Sequence, residues 1–226
     1  MKDGARGWYD LIIRLDAITM IYLIGGSPRS GKTTLAKKLS SKLNSSLIST
    51  DNLRLFLMNC LSNEEKYHHF PFEKMFDEAG TVEKFYKITS GENMLKADLK
   101  EAEYIMPGIK ALIHQSLKDE VNLIFEGIHL VPNFLKELSA NSNTRIVMLT
   151  KSNEQKIAQG LERNRGNNDW IADNINDKET LTKVANSLAE YGEYFRKEAG
   201  KNKLIHINTE ENFSEKIEHA MNMLLS

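Results

Sequence analysis

The chain is nearly free of cysteine, has no excess of charge of either sign, and contains no long apolar run; each shortage removes a class of protein. Of its 226 residues only Cys60 is a cysteine, so no internal disulfide can form and a reducing cytoplasm is the expected home. Cys60 lies among Leu57, Met58 and Leu61, a setting that predicts a buried packing residue rather than a nucleophile. The formal net charge is −1, which gives no global pull toward nucleic acid or an acidic membrane. No apolar stretch approaches membrane-spanning length. Lys2 and Arg6 are not followed by an apolar core and a small-residue cleavage site, so a signal peptide is not expected. Repeats, low-complexity tracts and interdomain linkers are missing too, leaving one α/β domain with room for an inserted cap.

What the chain does have is concentrated in Gly26-Ser27-Pro28-Arg29-Ser30-Gly31-Lys32-Thr33, which fits G-x-x-x-x-G-K-[ST]. The apolar run from Ile18 to Ile24 precedes it, and Leu35, Leu39 and Leu43 follow at helical spacing. Strand, glycine-bounded loop and helix together are the context of a phosphate-binding P-loop. Glycines let the backbone curl so that successive N–H groups face phosphate oxygens, and the helix N-terminus adds partial positive charge behind them. Lys32 is placed to reach the β- and γ-phosphates, Thr33 to ligate Mg²⁺, and Thr34 to complete the ATP-binding set. ATP and Mg²⁺ are therefore the expected cofactors.

Residues 1–17 stand ahead of the strand that would open such a domain. Trp8, Leu11, Ile12 and Leu15 have the spacing of a short helix, and a tail without function fits equally. From residue 18 to 226 strand and helix patterns alternate, which predicts a doubly wound, five-stranded parallel sheet. After the P-loop helix (32–44) come a strand at 46–49 and a helix from about Asn52. Residues 62–90 read as irregular. A long helical pattern over 92–118 is one that Pro107-Gly108 should kink or divide. Strands follow at 121–125, 144–149 and 204–207. Helices are expected over 153–163 and 178–199, and a last one is N-capped by Asn212 or Ser214. An insertion at about 60–118 would cap the substrate, and a polar lid would span about 163–178.

Working groups in open α/β sheets sit at the carboxyl ends of strands. Asp51, just after the second strand, is the first candidate to accept the proton of an attacking hydroxyl. Ser/Thr-Asp before a helix is also an ordinary N-cap, and the two roles can coexist. Arg54, one turn on, could hold an anionic substrate or pair with a surface carboxylate. Glu126 closes the apolar run Leu123-Ile124-Phe125, where a carboxylate can support Mg²⁺ through water; unpaired burial there would be costly. Gly127 permits close approach of the backbone. His129 could bind substrate or be structural. In the lid, Arg163 and Arg165 are suited to spread phosphoryl charge, with Arg165 slightly favoured. His68-His69 lacks metal-ligand spacing, the aromatic residues Tyr67 to Tyr86 read as a minicore, and Lys37, Lys38 and Lys42 read as a solvated helix face.

The P-loop, Ser49-Thr50-Asp51-Asn52-Leu53-Arg54 and Phe125-Glu126-Gly127-Ile128-His129-Leu130-Val131-Pro132 together resemble the 2-phosphoglycerate kinase group of small P-loop kinases. Glu101-Ala102-Glu103, Gly108-Ile109-Lys110-Ala111-Leu112-Ile113 and Leu117 resemble it as well. The likeness covers roughly residues 20–135, and the Glu126–Pro132 string is far more specific than the P-loop. It implies a nucleoside-monophosphate-kinase-like fold and ATP-dependent phosphoryl transfer to a hydroxyl of a small, anionic, 2-phosphoglycerate-like acceptor. The zeta-toxin and polynucleotide-kinase groups share a P-loop followed by an Asp after the second strand. A nucleoside or polynucleotide 5′-hydroxyl kinase is thus the alternative, though Glu64, Glu65, Glu73, Asp77 and Glu78 speak against a basic channel. A non-catalytic ATP-binding switch is a further alternative, but it would need neither Asp51 nor the lid arginines.

Overall fold

The computed structural model describes residues 19–226; the expected helix at Trp8, Leu11, Ile12 and Leu15 lies outside them. Five parallel strands run in the order β2-β3-β1-β4-β5: β1 (Ile21–Gly26), β2 (Ser46–Ser49), β3 (Leu123–Glu126), β4 (Thr144–Thr150) and β5 (His206–Asn208). All six residues of β1 are buried, as suits the middle strand of a parallel sheet covered on both faces. Its side chains alternate with a period of two. Tyr22 and Ile24 meet Leu35 and Leu39 of α1 (Lys32–Leu43) and Ile217 and Met221 of the closing helix, residues 213–225. Ile21 and Leu23 face the larger core on the opposite side.

That larger core is built on α6 (Gly91–Lys118) and α9 (Lys178–Lys201), which contribute Ile105, Ile109, Val184 and Phe195. Here α6 is not divided at Pro107-Gly108 but runs through the proline as one element. A proline inside a helix costs about 3 kcal/mol. Ile105 and Met106 before it and Ile109 and Ile113 after it are all buried on one face, and that packing holds the two halves together.

Residues 62–90 are a second correction: they are helical. They form α3 (Asn63–His69), α4 (Pro71–Ala79) and α5 (Val82–Ile88). Each is too short for periodicity to reveal, but each has a start signal. Ser62 and Glu65 make a reciprocal capping box, Pro71 opens α4, and Thr81 Oγ1 accepts from the Lys84 amide at 3.2 Å. Phe70 and Phe85 are fully buried, so these helices share the main core. Cys60 is the third correction. It is exposed where α2 (Thr50–Asn59) ends, while its neighbour Met58 takes the buried position.

The remaining elements complete the covering layers: α7 (Pro132–Leu138), α8 (Glu154–Asn164) and α10 (Phe213–Leu225). Asn212 precedes α10 in a left-handed conformation, φ 48°, without a side-chain capping bond. No helix among the described residues is long and apolar enough to cross a membrane.

Candidate active site

The loop between β1 and α1 is shaped by backbone conformations that glycine permits. Gly26 has φ 128°, and a Cβ there would lie 1.9 Å from the Leu149 carbonyl oxygen. Gly31 has φ 99° and opens α1. Side chains then lock the curl. Ser30 Oγ donates to the Ser27 carbonyl at 2.8 Å, Ser27 Oγ accepts from the Lys151 amide at 3.0 Å, and Thr209 Oγ1 donates to the Ser30 carbonyl at 2.8 Å. Lys32 is buried and its Nζ donates to the Ser27 carbonyl at 2.7 Å. Burial pushes its ammonium down to about 8, against the pull of Glu126 and Asp51. Thr33 Oγ1 donates to Glu126 Oε2 at 3.1 Å, which brings together the two expected metal-binding groups.

Two cavities include Lys32 in their lining. One, of about 630 Å³, is lined by Gly31, Thr34, Lys151, Arg163 and Glu210. The other, of about 360 Å³, reaches Asp51, Arg54, Glu126 and His129. Arg29, Lys32 and Thr33 line both and form a common wall.

The smaller cavity is assembled from distant parts of the chain. Asp51 lies in the first turn of α2, whose N-cap is Ser49, and its side chain is 65% exposed at the rim. Gly127 (φ 149°) lets the end of β3 press on α2, since a Cβ there would lie 1.8 Å from Thr50 Oγ1. His129 is thereby carried inward, with its Nδ1 2.9 Å from Thr50 Oγ1 and 3.5 Å from Asp51 Oδ1. Burial, helped by Arg54 and Lys32 and resisted by Asp51, holds the imidazole down to about 4, so it is neutral at pH 7. Arg54 donates from Nε to Glu101 Oε2 at 2.5 Å and from Nη2 to Glu73 Oε2 at 3.2 Å. Its guanidinium lies 5.7 Å from the Phe70 ring centre.

No family model matches the chain. Curated relatives do. The chain is similar to archaeal 2-phosphoglycerate kinases. The Pyrococcus furiosus 2-phosphoglycerate kinase is 30% identical over 66% of this chain and 47% of its own length. That of Methanocaldococcus jannaschii is 28% identical over 60% and 43%. A mevalonate-3-phosphate 5-kinase from Thermoplasma acidophilum is 29% identical over 52% of this chain and 55% of its own. The chain thus spans about half the length of the curated relatives it matches. Among solved structures, a gluconokinase from Sinorhizobium meliloti overlaps 92% of this chain and 93% of its own at 13% identity and TM-score 0.49.

Of the segments that resemble the 2-phosphoglycerate kinase group, the P-loop, Ser49–Arg54 and Phe125–Pro132 contribute to the lining of the two cavities and Gly108–Leu117 does not, whereas the expectation for Arg165 needs correction. Arg163 lines the larger cavity, but Arg165 lines neither. Arg165 donates to the Ile175 carbonyl at 3.0 Å and lies 3.6 Å from Glu162, so it braces the backbone of its own segment. The link from residues 163–178 to the P-loop is instead an ion pair between Arg29 and Asp169. Asp169 also accepts from the Ile171 and Ala172 amides at 3.1 Å each, starting the 3₁₀ turn Ala172–Asn174. Trp170 borders the smaller cavity, 6.2 Å from Phe76 and 6.5 Å from Tyr86 between ring centres.

Sequence reasoning missed Asp98 and Tyr191, and gave Glu101 no role. The Tyr191 hydroxyl donates to Asp98 Oδ2. Burial raises the Asp98 carboxyl to about 8 despite that bond. Asp98 and Glu101 are both buried in the apolar face of α6, one turn apart. Two acids on such a face are a readable anomaly, because unpaired burial of either would be costly.

Proposed function

We propose that this protein is an ATP- and Mg²⁺-dependent phosphotransferase that moves the γ-phosphoryl group to a hydroxyl of a small acceptor. The observation that carries this reading is the common wall of Arg29, Lys32 and Thr33 between the two cavities. A nucleotide in the larger and an acceptor in the smaller would meet at Lys32. The similarity to kinases that act on small phosphorylated compounds supports the same reading.

In this reading the loop amides and Lys32 stabilise the phosphate charge where it develops. Thr33 and Glu126 suit Mg²⁺, because hydroxyl and carboxylate are hard oxygen donors already side by side at 3.1 Å; Thr33 would ligate directly and Glu126 through water. When bound, the ion neutralises charge on the β- and γ-oxygens. Asp51 orients the acceptor hydroxyl and takes its proton as the new O–Pγ bond forms. The bond from Pγ to the β-phosphate oxygen breaks, and ADP leaves. Arg163 closes over the phosphates from the lid. Among the described residues Arg54 keeps Nη1 beyond its two glutamate bonds, and Arg29 borders the same cavity, so an anionic group such as a phosphate or carboxylate on the acceptor would have partners. A reducing, cytoplasmic setting suits the single exposed thiol of Cys60.

The test is ADP formation from Mg·ATP alone, with phosphoglycerates and other hydroxy acids, and with 5′-hydroxyl oligonucleotides. Acceptor-dependent turnover on small molecules that Lys32→Ala removes supports the reading. Oligonucleotide phosphorylation with a steep salt dependence would replace it with a polynucleotide kinase. Tight ATP binding without turnover on any acceptor would replace it with a switch.

A further inference from the structure

We propose that Asp98 and His129 form a socket for a second, non-reacting hydroxyl of the acceptor, which makes the acceptor a small polyhydroxy compound. This rests on the phosphotransferase reading above and adds a specificity element to it.

His129 is 2% exposed, and its Nε2 has no hydrogen-bond partner among the described residues. A buried ring nitrogen left unmet costs free energy and calls for a partner. Nδ1 is engaged by Thr50, so the unmet edge is the other one. The second group is Asp98, whose Oδ2 accepts from Tyr191 while no donor reaches Oδ1 among the described residues. Both side chains line the smaller cavity. A ring nitrogen of His129 and carboxylate oxygens of Asp98 and Glu101 lie within 4.8 Å of one another. One oxygen ~2.8 Å from each of two atoms at that separation makes an angle of about 120°, so a single hydroxyl can bridge them.

The chemistry selects a hydroxyl over an ion. Glu101 already holds the Arg54 guanidinium and the Phe72 amide, so a metal cation would face a fixed positive charge. A carboxylate accepts only, so it leaves the unmet His129 nitrogen without a partner in the tautomer where that nitrogen also accepts. A hydroxyl donates and accepts at once, and it therefore satisfies His129 in either neutral tautomer. With its carboxyl raised to about 8, Asp98 also keeps a proton to donate at neutral pH. Asp51 stands on the Nδ1 side of the same ring, at 3.5 Å.

The experiment uses the full chain and acceptor pairs that differ by hydroxyls beside the reacting one: glycerate with 3-hydroxypropionate, glycerol with 1-propanol, erythronate with 4-hydroxybutyrate. We expect kcat/KM to favour the polyhydroxy member by about tenfold or more, because a site built to bond a hydroxyl discriminates against its absence. His129→Phe should collapse that ratio toward unity, and Asp98→Asn should reduce it. A general structural lesion would lower both members alike. In parallel, the His129 Nε2 resonance, assigned by its loss in His129→Gln, should move on adding glycerate or erythronate but not their partners. Turnover with equal kcat/KM within every pair overturns the socket and leaves the kinase standing. A moving resonance without turnover supports the socket and sinks the kinase reading. Neither turnover nor a moving resonance with any probe overturns the socket.

Discussion

On the proposed nucleotide side of Lys32 one unbroken run, Gly26 to Thr33, makes the loop, whereas on the proposed acceptor side Asp51, Arg54, Asp98, Glu101, His129 and Tyr191 come from α2, α6, α9 and the turn after β3. The first side presents backbone amides at a helix N-terminus. Those groups are common to every residue, so only its glycines, Lys32 and Thr33 are constrained. The second side presents side chains that satisfy one another: Arg54 with Glu101 and Glu73, Asp98 with Tyr191, His129 with Thr50. In the proposed reading a generic anion grip would be built locally, and discrimination from long-range contacts.

The largest effect should come from the shared wall. Lys32→Ala is expected to lower acceptor-dependent kcat by about 10³-fold, the upper range for loss of one preorganised charge-stabilising group. Steady-state ADP release measures it, and a loss below tenfold would remove Lys32 from the chemistry. Asp51→Asn separates the two sides more sharply. Turnover should fall by about 10²-fold or more, as for loss of a general base, with ATP affinity roughly kept. Because Asp51 is exposed at the rim, the fold should tolerate the change. Full turnover would dismiss it as the proton acceptor, and lost ATP affinity would mean the two sides are not independent.

The same contrast explains what could be read from the sequence. The sheet was legible because β1, β3 and β4 are apolar runs long enough to bury on both faces, and their ends carry the P-loop and Glu126. The helices of residues 62–90 were not, since elements as short as Asn63–His69 span barely two turns and only caps such as Ser62 and Thr81 betray them. Asp51 and Glu126 could be singled out because they follow or close a strand, whereas His129 could only be weighed between binding substrate and a structural place. Tyr191 was not legible, because nothing local distinguishes it from other aromatic residues on an apolar helix face. Its role exists only once α9 is packed against α6. The exposure of Cys60 was misjudged because apolar neighbours in sequence do not face the same way at the end of a helix.

A smaller effect should split the two lid arginines. Arg163→Ala is expected to lower kcat about tenfold, since Arg163 borders the nucleotide cavity and would meet transferring charge. Arg165→Ala removes a brace on the Ile175 carbonyl and should change kcat less than threefold or so, at the level of an exposed polar contact. The reverse ranking would show that the lid closes by a path other than the one its present contacts suggest.

The gentlest test concerns Asp98 and needs no acceptor. Its carboxyl is raised from 3.8 to about 8, chiefly by burial and further by Glu101 and Asp51, while Tyr191 and Arg54 oppose. In that interval the folded protein holds a proton that the unfolded chain releases. The stability this contributes is present below pH 3.8 and lost as pH rises through 8. His129 runs the other way, lowered from 6.5 to about 4, so its contribution grows as pH rises through that range and is complete above it. Lys32, lowered from 10.5 to about 8, contributes rising stability only above its folded value. The window from pH 6.5 to 8 therefore isolates Asp98 among these three. The thermal midpoint should fall across it in the unaltered protein and fall less in Asp98→Asn, whose amide cannot ionise. Equal slopes in the two proteins would mean that Asp98 is ionised beside Tyr191 and has no proton to donate at neutral pH.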